Sequence, residues 1–406
     1  MMNILDYVRW RADVPLSIAP FNEVDNLIFS EMVFADFGGI VSSDECELLP
    51  LGQAVERYFE KFPGEGHRLG LIVPSEVRTL LRLMGESKRY GSLLLSGYEE
   101  NTDESVQKQF AALSIHLDDL HIYVAFRGTD DTLVGWKENF NMSFLKAIPA
   151  QLASVGYLER VARSFPKASL IVGGHSKGGN LAIYAAVYCE RSVKDRIVRV
   201  YSNDGPGYRP EVIQSEEYRE IRDRISKIVP QSSVVGRLLE HDERYKVVNS
   251  MASGLWQHDG FSWEVGPYAF VPAPSLSKES RVIDRSLRKW ISEMSPEQRQ
   301  EISDALYRIL TATNAKTLTE LTQDKYWLWR LISESDPGSR KTVIAALAQL
   351  TGEAGRVLVE DSLPSASKEK EAETARKART SLTPSKLASE VSKRISTRSA
   401  RTKQKK

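Results

Sequence analysis

The spacing of apolar and polar positions changes period along this chain, and each change marks a region. Near the start, Asn22, Glu23, Asp25 and Asn26 interleave with Val24, Leu27, Ile28, Met32 and Val33 at roughly helical spacing. Residues 1–70 therefore read as a helical lead-in packed on a core. From 71 to 274 short apolar runs alternate with helix-like ones. Residues 114–117 and 121–126 read as a hairpin around Asp118-Asp119. Beyond it the pattern predicts a helix over 152–163, a strand over 169–173 and a helix over 180–190. A strand over 197–202, a helix over 215–225 and short strands at 228–229 and 246–248 follow. Strands separated by helical patterns predict an α/β fold with a mostly parallel sheet covered on both faces.

Residues 275–360 read as a helical extension. Ser295-Pro296-Glu297-Gln298 is a helix start, with a serine cap, proline in the first turn and glutamine at the third position. Thr317 and Glu320 have the spacing of a capping box, and Tyr326, Trp327, Trp329, Leu331 and Ile332 supply an apolar face. These helices pack on the core or on each other; a partner-binding bundle is the alternative. No internal repeat is visible.

Charge changes the picture only at the end. The whole chain carries +1, yet residues 365–406 hold thirteen Lys and Arg against four Asp and Glu, a local +9 that leaves −8 elsewhere. With almost no large apolar residues, 361–406 is expected to be a disordered basic tail. It either only solubilises the chain or attracts an anionic partner weakly, a nucleic acid or a membrane surface. The length of 406 residues allows one large domain of about 250–300 residues plus an appendage. No apolar run reaches the roughly 18 residues of a membrane span. The first ten residues carry Asp6 and Arg9 and no leader pattern, so the expected location is the cytoplasm. Cys46 and Cys189 read as reduced, buried thiols. The six histidines have no metal-site spacing, so neither metal nor cofactor is expected.

The chemistry concentrates in one place. An apolar run ends in Gly174-His175-Ser176-Lys177-Gly178-Gly179, and a segment rich in alanine follows. A serine leaving a strand and entering a helix in one tight turn sits on a strained backbone. Glycines two positions to either side avoid collisions with the adjoining strand and helix. The turn exposes the hydroxyl and sets the N–H of Lys177 at a helix N-terminus, where it can face a developing negative charge. A second segment, Phe126-Arg127-Gly128-Thr129, ends a strand, with Trp136 seven residues beyond Thr129.

These two segments together resemble the class 3, fungal-type lipases. The resemblance implies that Thr129 is an oxyanion residue, through its N–H and its hydroxyl, with the N–H of Lys177 as second donor. A closer resemblance spans about residues 2–330. It rests on Asn3-Ile4-Leu5-Asp6-Tyr7, Pro20-Phe21-Asn22-Glu23-Val24-Asp25, Asp204-Gly205-Pro206-Gly207 and Gln257-His258-Asp259. These are similar to a bacterial lipase-like family of unknown function placed among the α/β-hydrolases, which implies a fold and a chemistry but no substrate.

An esterase needs a base for the serine and an acid to orient that base. Of the histidines after Ser176, His241 and His258 fit the order serine, acid, histidine. His258 follows the last strand and is the chosen base; His175 is assigned to packing. The acid departs from the lipase pattern, because Ser233 stands where those lipases carry aspartate. Asp204, at the end of the strand after the nucleophile helix, is the chosen acid, and a turn-forming role is its alternative. Asp242 is the third choice, in a charged run. Leu133, Val134, Trp136, Phe140, Met142 and Phe144 line an acyl pocket or fill the core. The expected activity is serine-dependent ester hydrolysis of small acyl esters or lipids. A catalytically silent hydrolase fold acting as a scaffold or binding protein is the rival.

Overall fold

The computed structural model describes residues 1–64, 69–323 and 327–346. The chain divides into two compact units, Met1–Ala354 and Gly355–Lys406. The second lies outside the described residues, and with it the expected disordered tail at 361–406.

The first unit opens with α1 (Ile4–Arg11) and α2 (Glu23–Met32), then β1 (Leu49–Pro50), α3 (Leu51–Lys61) and α4 (Glu76–Glu86). Strands β2 (Leu94–Asp103), β3 (Lys108–His116) and β4 (His121–Phe126) follow, then α5 (Leu133–Asn141) and α6 (Pro149–Ser164). Next come β5 (Ser169–His175), α7 (Lys177–Tyr188), α8 (Arg191–Lys194) and β6 (Ile197–Asn203). Short helices α9 (Pro210–Ile213) and α10 (Glu216–Ile221) lead to β7 (Ile225–Pro230) and β8 (Tyr245–Val248). The extension contributes α11 (Lys278–Glu293), α12 (Pro296–Thr311), α13 (Leu318–Gln323) and α14 (Trp327–Glu334).

The eight strands lie in one sheet in chain order. The first four pair antiparallel, and β4 through β8 pair in parallel. This order has a consequence for the layers. Parallel strands that always step the same way, joined by right-handed crossovers, put every crossover helix on one face of the sheet. Accordingly Ile122, Val124 and Phe126 of β4 pack with Leu158 of α6 and Leu181 of α7 in one buried cluster. Their alternates Tyr123 and Ala125 join the other cluster, with Leu27, Ile28 and Phe29 of α2 and Leu80 and Leu81 of α4. The second face is thus covered by the segment ahead of the sheet, which also supplies the edge strand β1. Without that segment the face would be open apolar surface.

Local chemistry explains how α2 is held there. Asn22 Oδ1 accepts the N–H of Val24 at 2.8 Å while Asp25 Oδ2 accepts the N–H of Asn22 at 3.0 Å, a reciprocal cap. Asp25 also meets the buried Arg89, Nη2 to Oδ2 at 2.5 Å, and takes a 2.6 Å hydrogen bond from the Tyr90 hydroxyl. Phe29 lies against Tyr123 with ring centroids 5.4 Å apart. Such a pair adds about 0.5–1.5 kcal/mol beyond its area.

The serine cap and proline start of α12 are as the pattern implies, with Gln298 N–H on Ser295 Oγ at 3.3 Å. At α13 the cap is split: Thr317 Oγ1 accepts from Glu320 N, whereas the Glu320 carboxylate takes the N–H of Lys316. Cys189 is buried but Cys46 is exposed, contrary to the expectation for both thiols; Cys46 sits in a surface turn where its N–H meets Asp44. No described helix is long and apolar enough to cross a membrane. Among the described residues no group of three or more His, Cys, Asp or Glu side chains is placed to hold a metal ion.

Candidate active site

Ser176 sits at the hinge between β5 and α7 with φ 56° and ψ −129°, outside the regions that L-residues ordinarily populate. Such a conformation costs on the order of 1–3 kcal/mol and persists only where its surroundings enforce it. The enforcement is visible. The Ser176 N–H donates to Asn203 O at 2.9 Å. The Asn203 side chain is tied to Asn26, Ser30 and Gly174 O in a buried network reaching to α2. On the other side, a Cβ at Gly178 would lie 2.0 Å from Phe126 O, so α7 can start this close to β4 only with glycine there.

Lys177 follows the serine, and its N–H opens the first turn of α7, where no helical acceptor exists for it. Its side chain has another task. The buried Nζ donates to Gln109 O at 2.7 Å, to Gln109 Oε1, and to Glu138 Oε2 at 3.0 Å. Glu138 in turn accepts the N–H groups of Gln109 and Ala150. The residue after the serine therefore bolts the start of α7 to β3, α5 and α6, a role its sequence position does not disclose.

The loop after β4 brings Thr129 to the same place. A Cβ at Gly128 would come 2.7 Å from His175 O and 3.3 Å from Ser176 Cβ, so the loop passes directly beside the elbow. Thr129 Oγ1 accepts a 2.6 Å hydrogen bond from Asn139 Nδ2. A hydroxyl has one proton to give, and with its oxygen occupied as acceptor that proton is left for another partner. The next two residues fix the loop. Asp130 Oδ1 accepts the N–H and hydroxyl of Thr132. Asp131 takes the N–H of Leu71 on one oxygen and that of Thr319 on the other.

The third component is an acid–imidazole pair. Asp204 Oδ2 lies 2.7 Å from His258 Nδ1. Asp204 is buried at the end of β6 with φ 48°, and its N–H donates to Ile228 O at 2.7 Å. Aspartate tolerates the left-handed region better than most residues. Its other oxygen, Oδ1, accepts the Ser233 hydroxyl at 2.5 Å. Ser233 is held in turn, because Ser280 of α11 donates to its carbonyl. The position that differs from the lipase pattern thus holds the acid from behind.

The other two candidates, His241 and Asp242, lie away from this pair, and Asp259, next to His258, is turned to another use. His241 is pressed between Arg237 and Arg288, and burial, then Lys227 and these arginines, hold its imidazole well below the ordinary range. Asp242 is paired with Arg222 in solvent. Asp259 caps the turn after His258 through the N–H of Phe261, and burial raises its carboxyl.

Ser176, His258, Thr129 and Lys177 share the wall of one cavity of about 1800 Å³. Among the described residues the Ser176 hydroxyl makes no hydrogen bond, so the serine–imidazole contact remains to be made. Leu287, Trp290, Ile291, Met294, Ile302 and Leu306, from α11, its cap and α12, form an apolar wall of that cavity. The apolar set after Thr129 is divided. Trp136, Phe140 and Met142 line the cavity, while Leu133, Val134 and Phe144 are buried in the packing. The extension is clamped in place by Lys137 on Ser303 and Asp304, by Arg237 on Asp284 and by Arg288 on Glu240.

Reasoning from sequence missed Glu31, Asn139, Ser233 as a support, and the cavity wall. Two of these left a trace: Glu31 as a carboxylate inside the apolar run of α2, and Ser233 as the residue in place of the lipases' aspartate.

A profile of the Mbeg1-like family matches residues 84–308, more than half of the chain. The chain belongs to the Mbeg1-like family. The matched stretch carries Thr129, Ser176, Asp204 and His258, so the whole candidate site of this Mbeg1-like protein lies within the family's domain, while α2 lies outside it. Among solved structures the chain is similar to a lipase–propeptide complex of Rhizomucor miehei, at 16% identity over 56% of this chain and 68% of that one, TM-score 0.33. It is also similar to lipase II of Rhizopus niveus, at 14% identity over 56% and 82%, TM-score 0.32. A lipase of Rhizopus microsporus var. chinensis stands at 14% over 63% and 82%, TM-score 0.31. Likeness this distant says nothing about activity. No curated protein matches in sequence.

Proposed function

We propose that this Mbeg1-like protein has an α/β-hydrolase fold and is a serine-dependent ester hydrolase that works through an acyl-enzyme. The observation that carries the reading is the 2.7 Å contact of Asp204 with His258 in the cavity that also exposes Ser176. In this reading Ser176 Oγ attacks the ester carbonyl carbon as His258 Nε2 removes its proton. The carbonyl oxygen becomes an oxyanion, held by the Thr129 hydroxyl and N–H and by the Lys177 N–H. The C–O bond to the alcohol then breaks, and His258 returns the proton to the departing alkoxide. Water, deprotonated by the same imidazole, attacks the acyl carbon; the bond from that carbon to Ser176 Oγ then breaks, and His258 gives the proton back to Oγ as the acid leaves. Asp204 holds Nδ1–H and stabilises the imidazolium, without itself taking the proton.

The cavity points to the substrate. Ligand sites run to about 300–1,000 Å³, and this one is larger and largely apolar, which suits an ester or lipid with a long acyl chain. No cofactor is part of the scheme. We place the protein in the cytoplasm and assign the basic tail a weak attraction to anionic surfaces. The unbonded Ser176 hydroxyl favours one rival, a silent scaffold with the same fold. A fluorophosphonate separates the two. The purified protein should be labelled at Ser176, and Ser176→Ala should lose the label; well-folded protein that is labelled nowhere, or at another serine, would make the scaffold the better description.

A further inference from the structure

Behind His258 lies a second carboxyl–imidazole pair that ester hydrolysis by Ser176 and His258 does not use. His175 Nε2 stands 2.8 Å from the backbone oxygen of His258. A carbonyl only accepts, so this nitrogen carries the hydrogen, and Nδ1 of a neutral His175 is then an acceptor. The two rings lie tilted against each other, with centroids 4.6 Å apart and planes 32° apart. Facing Nδ1 at 3.4 Å is Oε1 of Glu31, which arrives from α2 on the far face of the sheet. Among the described residues that buried oxygen has no hydrogen-bond partner. The loop after His258 closes on it through Gly260, where a Cβ would lie 2.5 Å from Oε1.

Protonation states agree with this geometry. Burial, reinforced by Asp259, holds the Glu31 carboxyl well above its ordinary range. Burial and then His258 push His175 down to about 3. An acid O–H therefore faces a neutral acceptor nitrogen. The charged or titratable groups around the pair are His258 and Asp259 on the loop and Asp204 at the end of β6.

We propose that Glu31 and His175 form a second carboxyl–imidazole pair that holds the backbone of His258 in place, which makes both of them positioning residues of the hydrolase site. Neither touches the reacting atoms. The catalytic consequence rests on the ester-hydrolase reading; the pairing itself does not. It also explains why α2, outside the stretch that the family profile matches, carries a carboxylate inside its apolar run.

The test has two arms on the full chain. In the first, the imidazoles are labelled with ¹⁵N in the Ser176→Ala protein and followed by NMR between about pH 5 and 9, the range that brackets an ordinary histidine near 6.5. His175 should stay neutral with its hydrogen on Nε2 throughout. A His175 that titrates like an ordinary histidine, or that carries the hydrogen on Nδ1, overturns the proposal, and no catalysis is needed to see it. In the second arm, hydrolysis of a p-nitrophenyl acyl ester is compared among wild type, His175→Asn, Glu31→Gln and Glu31→Leu. Glu31→Leu and His175→Asn should lower kcat by about 10- to 100-fold while KM stays within about twofold, the signature of a misplaced base. Glu31→Gln should stay within about twofold of wild type, because its amide can still donate to Nδ1. Equal kcat in Glu31→Leu and wild type overturns the proposal, and so does a Gln variant as slow as Leu. If His175→Asn does not fold, the Gln and Leu pair decides. Should wild type neither hydrolyse esters nor take a fluorophosphonate, the hydrolase reading falls and the first arm still judges the pair.

Discussion

The two sides of the candidate site are built in opposite ways. The serine side is written locally: a dozen residues of β5, the turn and α7 contain the strain, the glycines that permit it and the N–H at the helix start, with Asn203 and Phe126 of the neighbouring strands pressing on it. The acid–base side is gathered from the end of β6, the 231–233 turn, the 254–262 loop and α11. Asp204 on one loop meets His258 on another, Ser233 on a third holds the acid, and Ser280 of the extension holds Ser233. A local device is specified by a short pattern and fails when one atom is added. A gathered device depends on supports far apart in the chain and weakens step by step as they are removed.

The largest effects should separate the sides most sharply. Gly178→Ala places a carbon 2.0 Å from Phe126 O, a backbone atom that cannot step aside. It should lose more than about 4 kcal/mol of stability, at the extreme of single substitutions. Chemical unfolding would measure it, and a stable Gly178→Ala protein would show that α7 can shift away from β4 and that the elbow is not tightly constrained. Asp204→Asn should instead leave the fold standing and slow ester hydrolysis by about 10³–10⁴-fold, because an amide can hold the wrong tautomer. Steady-state rates beside a melting curve would show whether rate and stability part in this way.

The supports should come next. Ser233→Ala removes one hydrogen bond to a carboxylate, about 1.5–3 kcal/mol for a charged partner. The expected loss is about tenfold in kcat/KM; a rate unchanged within twofold would mean that Asp204 needs no backing. His175 gives a pH signature. Its folded pKa of about 3 lies below the ordinary 6.5, so its stability contribution is complete above about 6.5 and is lost as pH falls toward 3. Glu31 has the opposite sign: its carboxyl is raised above 4.5, so its contribution is complete below that value and fades as pH rises through the folded pKa. The stability difference between wild type and His175→Asn should therefore shrink on acidification, by up to about 1.4 kcal/mol per pH unit below 6.5. Thermal unfolding at several pH values reads this, and a difference independent of pH would refute the burial of a neutral imidazole. The smallest effect belongs to Asp242→Asn, a solvated pair with Arg222, which should change stability by less than about 0.5 kcal/mol and leave the rate alone.

The sequence by itself determined what depends on near neighbours. The alternation along β3 to β8, the turn at Asp118-Asp119, the cap of α12 and the strained serine turn follow from periods, caps and glycines a few residues apart. Asp204 and His258 were legible as candidates through chain order and resemblance, but their 2.7 Å contact spans fifty-four positions and exists only because β6 and the loop after β8 end on the same side of the sheet. Only the tertiary structure decided what depends on layers. Strands stepping one way left a whole sheet face uncovered, and α1 to α4 had to cover it. That packing brought Glu31 beside His175. Packing elsewhere in the fold made Lys177 a buried anchor on β3 and α5 and turned Ser233 from an apparent gap in the pattern into a partner of Asp204. The clamps of Lys137, Arg237 and Arg288 set α11 and α12 as a wall of the cavity. Periodicity reports which residues are buried; which buried residues meet is decided when the layers close, because hydrogen bonds and contacts act over a few ångströms in space and not along the chain.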